Sequence, residues 1–332
     1  MSETLPIRHR LVGISAKAYE HPADRAATAA LKSIPVLDSA VRKLIELRYE
    51  RALRQVFLAG SIKLGPDQLP DIWALYENAL ATLDLPQTYD LYLTQFPITN
   101  AAAIGSGKPM LLLTSQTVEL LEPDELSAVL AHELGHVLSD HVLYWTALEI
   151  LLRFPFFRIP VIAGLPLVAL RSALLEWARA AELSCDRAAT LVTRDPLIVC
   201  RTLMVLAGGA TSRRLSLDAF LRQATEYHEW ESGVDRARRF FIEFGQTHDF
   251  PVRRVAELMK WVRSGDYDRI IGGTYPRRDD PVDPREQAGE AYTHYRERFK
   301  SILRDAGEGV ASASERLAER FDEWLGKKDD PA

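Results

Sequence analysis

The residues with the clearest chemical potential form the pattern His-Glu-x-x-His at His132, Glu133 and His136. On an α-helix, residues four apart lie on the same face, so both imidazoles can bind one metal ion. Glu133 lies about 100° around the helix, where it can act as general base on a metal-activated water. Zinc takes nitrogen and carboxylate ligands and keeps a fourth position for water in catalytic sites. The pattern therefore favours one zinc ion per chain, although two core histidines can share this spacing by chance.

The segment that carries the pattern, Pro123–His141, has the apolar spacing of an amphipathic helix. Pro123 suits the first turn, and Asp124 and Glu125 suit the positive end of the helix dipole. A second long helix is predicted at Ser172–Val192.

Two acidic residues on the second helix, Glu182 and Asp186, are four positions apart and share one face. Glu182 is a candidate third metal ligand that only the tertiary fold can bring to His136. Asp186 could accept a hydrogen bond from the far nitrogen of a ligand imidazole and so fix its orientation. Such a pair is usually a solvated helix face, but its neighbours here are apolar, and unpaired carboxylates are costly in that setting.

Strands are predicted at residues 56–64, 89–93 and 109–113, and a helix is predicted to start at Pro66. Between the last two strands, Ile98–Gly105 is extended and rich in small side chains. We interpret it as an edge strand that pairs with an extended peptide through Asn100, Ala101, Ala102 and Ala103. An ordinary inner strand or turn is the alternative.

The composition fits a globular protein of 332 residues, 47% of them hydrophobic. With 41 basic and 46 acidic residues the net charge is -5, which gives no reason to expect nucleic acid as a partner. The two cysteines, Cys185 and Cys200, form no CxxC pair, and no apolar signal-peptide core occurs near the N-terminus. We therefore expect a cytoplasmic protein.

The most apolar stretch, residues 148–175, contains four charged residues and three prolines. Its longest uncharged run, residues 159–170, is shorter than the roughly 20 residues of a membrane-spanning helix. We interpret it as a buried hairpin, with peripheral membrane contact as the alternative.

Three motifs together resemble the HtpX and CAAX prenyl protease family of zinc endopeptidases. They are Asn-Ala-x-Ala-x-Gly at residues 100–105, the run from Glu125 to His136, and Arg-x-x-Glu-x-x-x-Asp ending at Asp186. The resemblance covers roughly residues 66–263. It implies zinc held by the two histidines and Glu182, and a mainly helical (α+β) fold with a small sheet whose edge strand flanks the active-site helix and binds substrate.

The resemblance also implies a role for His248 and Arg254. The family often has Thr-His-Pro followed by an arginine six residues after the histidine, whereas this chain has His-Asp-Phe-Pro. By resemblance, His248 would lie near the zinc and polarise the oxyanion or occupy the open metal position, and a surface-loop histidine is the alternative. Arg254 matches the family's offset, and we expect His248 or Arg254 to help stabilise the oxyanion.

The sequence thus predicts an endopeptidase that acts on peptides or unfolded proteins. The predicted organisation is an N-terminal helical segment (1–65), the peptidase domain (66–276) and a charged helical extension with a disordered end (277–332). A zinc-bound, chaperone-like module with a plugged cleft is one alternative. Another is an enzyme for prenylated or lipid-linked peptides at a membrane surface. No feature indicates an oligomeric state.

Overall fold

The computed structural model describes residues 9–32, 50–95, 101–105, 107–153, 167–229 and 250–280. The helices are α1 Pro22–Lys32, α2 Glu50–Gly60, α3 Pro70–Thr82, α4 Ser115–Leu120, α5 Pro123–Leu138, α6 Val142–Arg153, α7 Leu167–Thr193, α8 Pro196–Gly208, α9 Leu217–Glu229, α10 Pro251–Arg263 and α11 Asp266–Ile271. The strands are β1 Ile62–Lys63, β2 Asp90–Thr94, β3 Ala101–Ile104 and β4 Met110–Thr114. The predicted mainly helical fold with a small sheet is confirmed.

The sheet has the strand order β1-β2-β4-β3. The central pair, β2 and β4, is parallel, and the two outer pairs are antiparallel. In the described part of the chain β3 pairs only with β4, with Ala103 opposite Leu111. The predicted edge strand therefore occupies an edge of the sheet, while Asn100 lies outside the described residues.

Two predictions about the N-terminal half were wrong. The strand expected at residues 56–64 is helix up to Gly60, and only Ile62–Lys63 pairs with β2. The β-rich Val-Phe-Leu run lies among Ala, Arg, Gln and Leu residues, whose helix propensity outweighs it. Arg54 on α2 also donates to Asp90 (3.0 Å), which ties the helix to β2. The helix expected from Pro66 starts at Pro70.

The motif helix α5 is central to the core and packs most extensively on α7. Close approach depends on Gly135, because a Cβ there would lie 2.9 Å from the Cβ of Ala188 and 3.4 Å from the Cα of Cys185. The glycine inside the motif therefore lets the two helices approach until their polar side chains meet.

Residues near the N-terminus pack against the back of this helix pair. The Tyr19 hydroxyl lies 3.0 Å from the Ser139 hydroxyl, and Arg187 donates to the Tyr19 carbonyl (3.3 Å). The N–H of Ser15 donates to the carbonyl of Pro276 (3.0 Å), so both ends of the described chain meet. The boundaries at residues 65 and 276 stay predictions, and residues 281–332 lie outside the described part.

The described ends of the apolar stretch pack against each other. Leu148 on α6 and Leu174 and Leu175 on α7 are buried with Trp145 and Trp177 in a second hydrophobic cluster. Residues 154–166 lie outside the described residues. Among the helices that the structure describes, none has both the length and the apolar character needed to span a membrane.

Candidate active site

The two motif histidines converge on Glu182, which α7 brings to α5. The Nε2 atom of His132 lies 3.5 Å from Glu182 Oε2, and Nε2 of His136 lies 3.3 Å from Glu182 Oε1. Zinc bonds of about 2.0–2.1 Å in a tetrahedral arrangement separate two ligand atoms by about 3.3 Å. Each histidine nitrogen therefore lies from Glu182 at about the spacing of two ligands of one zinc ion, and each of these contacts uses a different carboxylate oxygen.

The electrostatics of the three residues also fit a cation. Burial lowers the pKa of His132, but Glu182 and Asp186 outweigh it and raise that pKa to about 10 without a metal. Burial and the charge of His132 lower the pKa of His136 to about 4, against the pull of Glu182. Two imidazole nitrogens that face one carboxylate need a positive charge among them, which a proton or a metal ion can supply.

Cys185 is a second possible metal ligand beside the histidines. One ligand atom from each of His132, His136 and Cys185 lies within 4.8 Å of the others. Burial and several nearby carboxylates raise the pKa of the Cys185 thiol well above its usual value. Since metals bind the thiolate, we prefer Glu182 as the third ligand.

Asp186 lies one turn beyond Glu182 and contacts the far nitrogen of His132, with Oδ1 3.2 Å from Nδ1. Arg254 on α10 donates two hydrogen bonds to the same carboxylate, from Nε (2.8 Å) and from the terminal nitrogen Nη2 (2.6 Å). Burial alone would raise the pKa of Asp186, but the charge and hydrogen bonds of Arg254 and the contact with His132 hold it below its usual value. An ionised Asp186 therefore favours the His132 tautomer with its proton on Nδ1.

Glu133, next to His132 on the motif helix, contacts the sheet. Its side chain is buried, and it accepts a hydrogen bond from the backbone N–H of Ala103 on β3. Burial raises the pKa of Glu133 to about 7, although His132 opposes the shift. A carboxylate with a pKa near neutrality is suited to take up and release a proton.

Thr146 on α6 fixes the end of β3. Its hydroxyl lies 3.0 Å from the carbonyl oxygen of Gly105 and accepts a hydrogen bond from the Gly105 N–H (3.1 Å). The Gly105 backbone has φ +128°, a region that favours glycine. The strand is thereby held between α6 and the motif helix.

The structure brings most of the predicted residues together. His132, Glu133, His136, Glu182, Asp186 and Arg254 form one buried cluster, with Ala101, Ala102 and Ala103 on the adjacent edge strand. Neither His248 nor Asn100 belongs to the described residues.

Two residues behind this cluster were missed: His141, which contacts His136, and Asp24, which contacts His141. His141 had a local signal, because it follows His136 by five residues at the end of the same helical segment. Asp24 gave no signal, since nothing in its neighbourhood relates it to the motif.

Comparisons with known proteins agree with this chemistry. The family model described as Peptidase family M48 matches residues 66–262. Plastoglobule-localized metallopeptidase 48, chloroplastic, from Arabidopsis thaliana is 35% identical over 266 residues, which cover 78% of this chain and 76% of the relative. A Protease HtpX homolog from Tropheryma whipplei (strain Twist) is 26% identical over 231 residues, which cover 61% of this chain and 76% of the relative. No solved structure matches significantly.

Proposed function

Because the chain belongs to peptidase family M48, we propose that it is a zinc-dependent endopeptidase with Glu133 as its general base. The strongest support is the meeting of His132, His136 and Glu182 at 3.3–3.5 Å beside a buried glutamate. Two imidazoles and a carboxylate are a ligand set of catalytic zinc sites.

A zinc ion bound by His132, His136 and Glu182 would polarise a peptide carbonyl and lower the pKa of a water molecule to about 7. Glu133 would take a proton from the attacking water as the water oxygen bonds to the carbonyl carbon. The same carboxyl group would then pass that proton to the nitrogen of the leaving amine while the C–N bond breaks. The Ala103 N–H holds the carboxylate between the sheet and the motif helix.

The edge strand β3 would hold the substrate in an extended conformation. Backbone groups of successive residues in a strand point to opposite edges. Because the Ala103 N–H contacts Glu133 rather than β4, Ala101 and Ala103 share the edge that faces the motif helix. A peptide that adds to this edge would lie across the candidate metal site, and the small side chains leave room for it.

We assign Arg254 a positioning role instead of the oxyanion role predicted from the sequence. Its guanidinium group donates twice to Asp186, and its other terminal nitrogen, Nη1, lies 3.0 Å from Glu182 Oε2. An arginine held by two buried carboxylates keeps both of them oriented. His248 stays the proposed group for the oxyanion or the open metal position.

The substitution Glu133→Gln tests this mechanism in the full-length protein. The variant should keep stoichiometric zinc and lose activity on an unfolded protein such as denatured casein by about 10²–10⁴-fold, because the amide cannot accept the proton. Glu119→Gln, at an exposed position on α4, is the matched control and should cleave like the wild type. Equal turnover of Glu133→Gln and wild type would contradict the mechanism.

Family membership argues against the alternative of a binding module without proteolytic activity. Zinc-loaded wild-type protein that cleaves no unfolded substrate would favour that alternative. A cytoplasmic location with peripheral membrane contact through residues 148–175 is a separate proposal. Flotation with phosphatidylglycerol liposomes tests the contact, and wild-type protein that stays at the bottom of the gradient would contradict it.

A further inference from the structure

A buried chain of polar contacts leads away from the candidate metal site on the side opposite Asp186. The Nδ1 atoms of His136 and His141 are 3.2 Å apart. On the other side of its ring, His141 Nε2 lies 3.1 Å from Asp24 Oδ2. Asp24 and His141 are fully buried, so these polar side chains must satisfy one another rather than bulk water.

Asp24, on α1, also accepts hydrogen bonds from two hydroxyl groups. The Ser184 hydroxyl donates to Oδ2 (2.5 Å) and the Thr28 hydroxyl donates to Oδ1 (3.1 Å). Thr28 in turn accepts a hydrogen bond from Trp177 Nε1 (2.8 Å). Burial would raise the pKa of Asp24, but the charge of a protonated His141, the contact with that ring and the hydrogen bonds of Ser184 and Thr28 keep it below its usual value. The two hydroxyl hydrogen bonds favour the ionised carboxylate whether or not His141 is protonated.

These contacts determine where the protons lie when His141 is neutral, which is the form whose Nδ1 can accept a hydrogen bond. An ionised Asp24 can only accept, so the proton of a neutral His141 lies on Nε2. His141 Nδ1 is then an acceptor. Its nearer partner is Nδ1 of His136 at 3.2 Å, with the Cys185 sulfur at 3.7 Å, so we assign the proton between the two imidazoles to Nδ1 of His136. His136 Nε2 therefore carries a lone pair, and this is the atom that faces Glu182 at 3.3 Å.

We propose that Asp24 and His141 are positioning residues that hold His136 in the tautomer able to bind the metal through Nε2, a role that rests on the proposed zinc-peptidase function. They do for His136 what Asp186 does for His132. Partners of this kind fix the ring orientation of a ligand histidine. Trp145 supports the same ring, with its plane 28° from that of His136 at a centroid distance of 5.6 Å.

A second metal site is the competing explanation, because Glu20, Asp24 and His141 also place ligand atoms within 4.8 Å of one another. The tautomer role is favoured because Asp24 already accepts hydrogen bonds from two hydroxyl groups. Metal analysis separates the two explanations: two equivalents of zinc in the wild type, with one lost in Glu20→Gln, would overturn the tautomer role.

The test uses full-length wild type, Asp24→Asn, His141→Phe and His141→Asn. In Asp24→Asn the amide can donate to His141 Nε2, which moves the His141 proton to Nδ1 and the His136 proton to Nε2, where it opposes metal binding. We expect zinc affinity, measured by competition with a chelating dye, to fall about 10–100-fold. The zinc affinity of His141→Phe should fall at least as far, since the phenyl ring has no hydrogen-bond acceptor. The zinc affinity of His141→Asn should fall less, because its amide oxygen can replace Nδ1 as the acceptor for His136.

A direct readout is the ¹⁵N NMR spectrum of histidine-labelled, metal-free protein, in which His136 is assigned by substitution. The wild type should show the His136 proton on Nδ1, and Asp24→Asn should lose that preference. His141→Phe and His141→Asn provide the affinity test if Asp24→Asn does not fold.

Failure of this inference and failure of the proposed function have different signatures. If the wild type binds zinc, loses it in Glu182→Gln, and keeps the same affinity and His136 tautomer in all three variants, the positioning role is wrong and the zinc site stands. If the wild type binds no zinc at all, the proposed function itself is wrong.

Discussion

Two arginine–carboxylate clusters lie at the two ends of the motif helix α5 and differ in what they support. At the N-terminal end, Arg213 donates to both carboxylate oxygens of Glu125 (2.9 and 2.7 Å) and to the carbonyl of Leu120 (2.7 Å). Towards the C-terminal end, Arg254 pairs with Asp186 and Glu182. The geometries are alike, but the Arg213 side chain is 35% exposed and that of Arg254 is 9% exposed.

The difference shows that an ion pair alone does not identify a site. The Arg213 cluster closes a helix end, because Glu125 also accepts a hydrogen bond from the Glu122 N–H (2.9 Å) as in a capping box. The Arg254 cluster holds two buried carboxylates against two imidazoles. What distinguishes a candidate site is therefore the convergence of further titratable groups in a buried position.

The largest difference between the two ends should appear when one carboxylate of each cluster is neutralised. Glu182→Gln should lower zinc affinity by more than about 100-fold, since changes in supporting residues alone cost about 10–100-fold. Glu125→Gln should leave zinc affinity unchanged and lower the free energy of unfolding by about 1–3 kcal/mol. Dye competition and urea unfolding measure the two effects. Loss of zinc in Glu125→Gln would contradict the conclusion that only the Arg254 cluster supports the candidate metal site.

The second largest difference should appear when the arginine of each cluster is replaced by lysine. Arg254→Lys keeps the charge but loses the fork that binds Asp186, so we expect a loss of about 2–4 kcal/mol in the free energy of unfolding and weaker zinc binding. Arg213→Lys, at a partly exposed pair, should cost about 1 kcal/mol or less and leave zinc binding intact. Urea unfolding of the two variants should be compared in the same buffer. Equal losses in the free energy of unfolding would show that the difference in burial does not make the two clusters differ in stability.

The smallest effect should come from the spacing of α5 and α7. In Gly135→Ala the new Cβ would lie 2.9 Å from that of Ala188, and relief of this contact should cost about 1–3 kcal/mol of unfolding free energy and a few-fold in zinc affinity. Gly60→Ala, where no atom lies within 4 Å of the added Cβ, is the control and should be neutral or slightly stabilising. A Gly135→Ala variant as stable as Gly60→Ala would mean that the helices separate without cost.

The sequence was sufficient to predict the helices that carry the candidate ligands. The motif helix and the helix with Glu182 have strong apolar periodicity, and both occur close to their predicted positions. The edge strand followed from small residues between two β-rich runs. These features depend on local patterns, which a single sequence contains.

Contacts between distant segments could not be predicted in the same way. Nothing around Asp24 relates it to His141, and nothing around Arg213 relates it to Glu125, because such pairs exist only after the helices pack. The strand prediction for residues 56–64 failed for a related reason. Their β-rich run is short, and its neighbours and the Arg54 contact decide in favour of helix.

The contact of Asp24 with His141 has a consequence for where the working unit of this protein ends. The shared sequence of the family spans residues 66–262, yet Asp24 lies about 40 residues before it and belongs to a helix packed on α7. The part of the chain that shares its sequence with the family is therefore smaller than the part connected to the candidate site by buried polar contacts, which includes Asp24. Changes in the N-terminal segment can then alter chemistry at a site to which that segment contributes no reacting group.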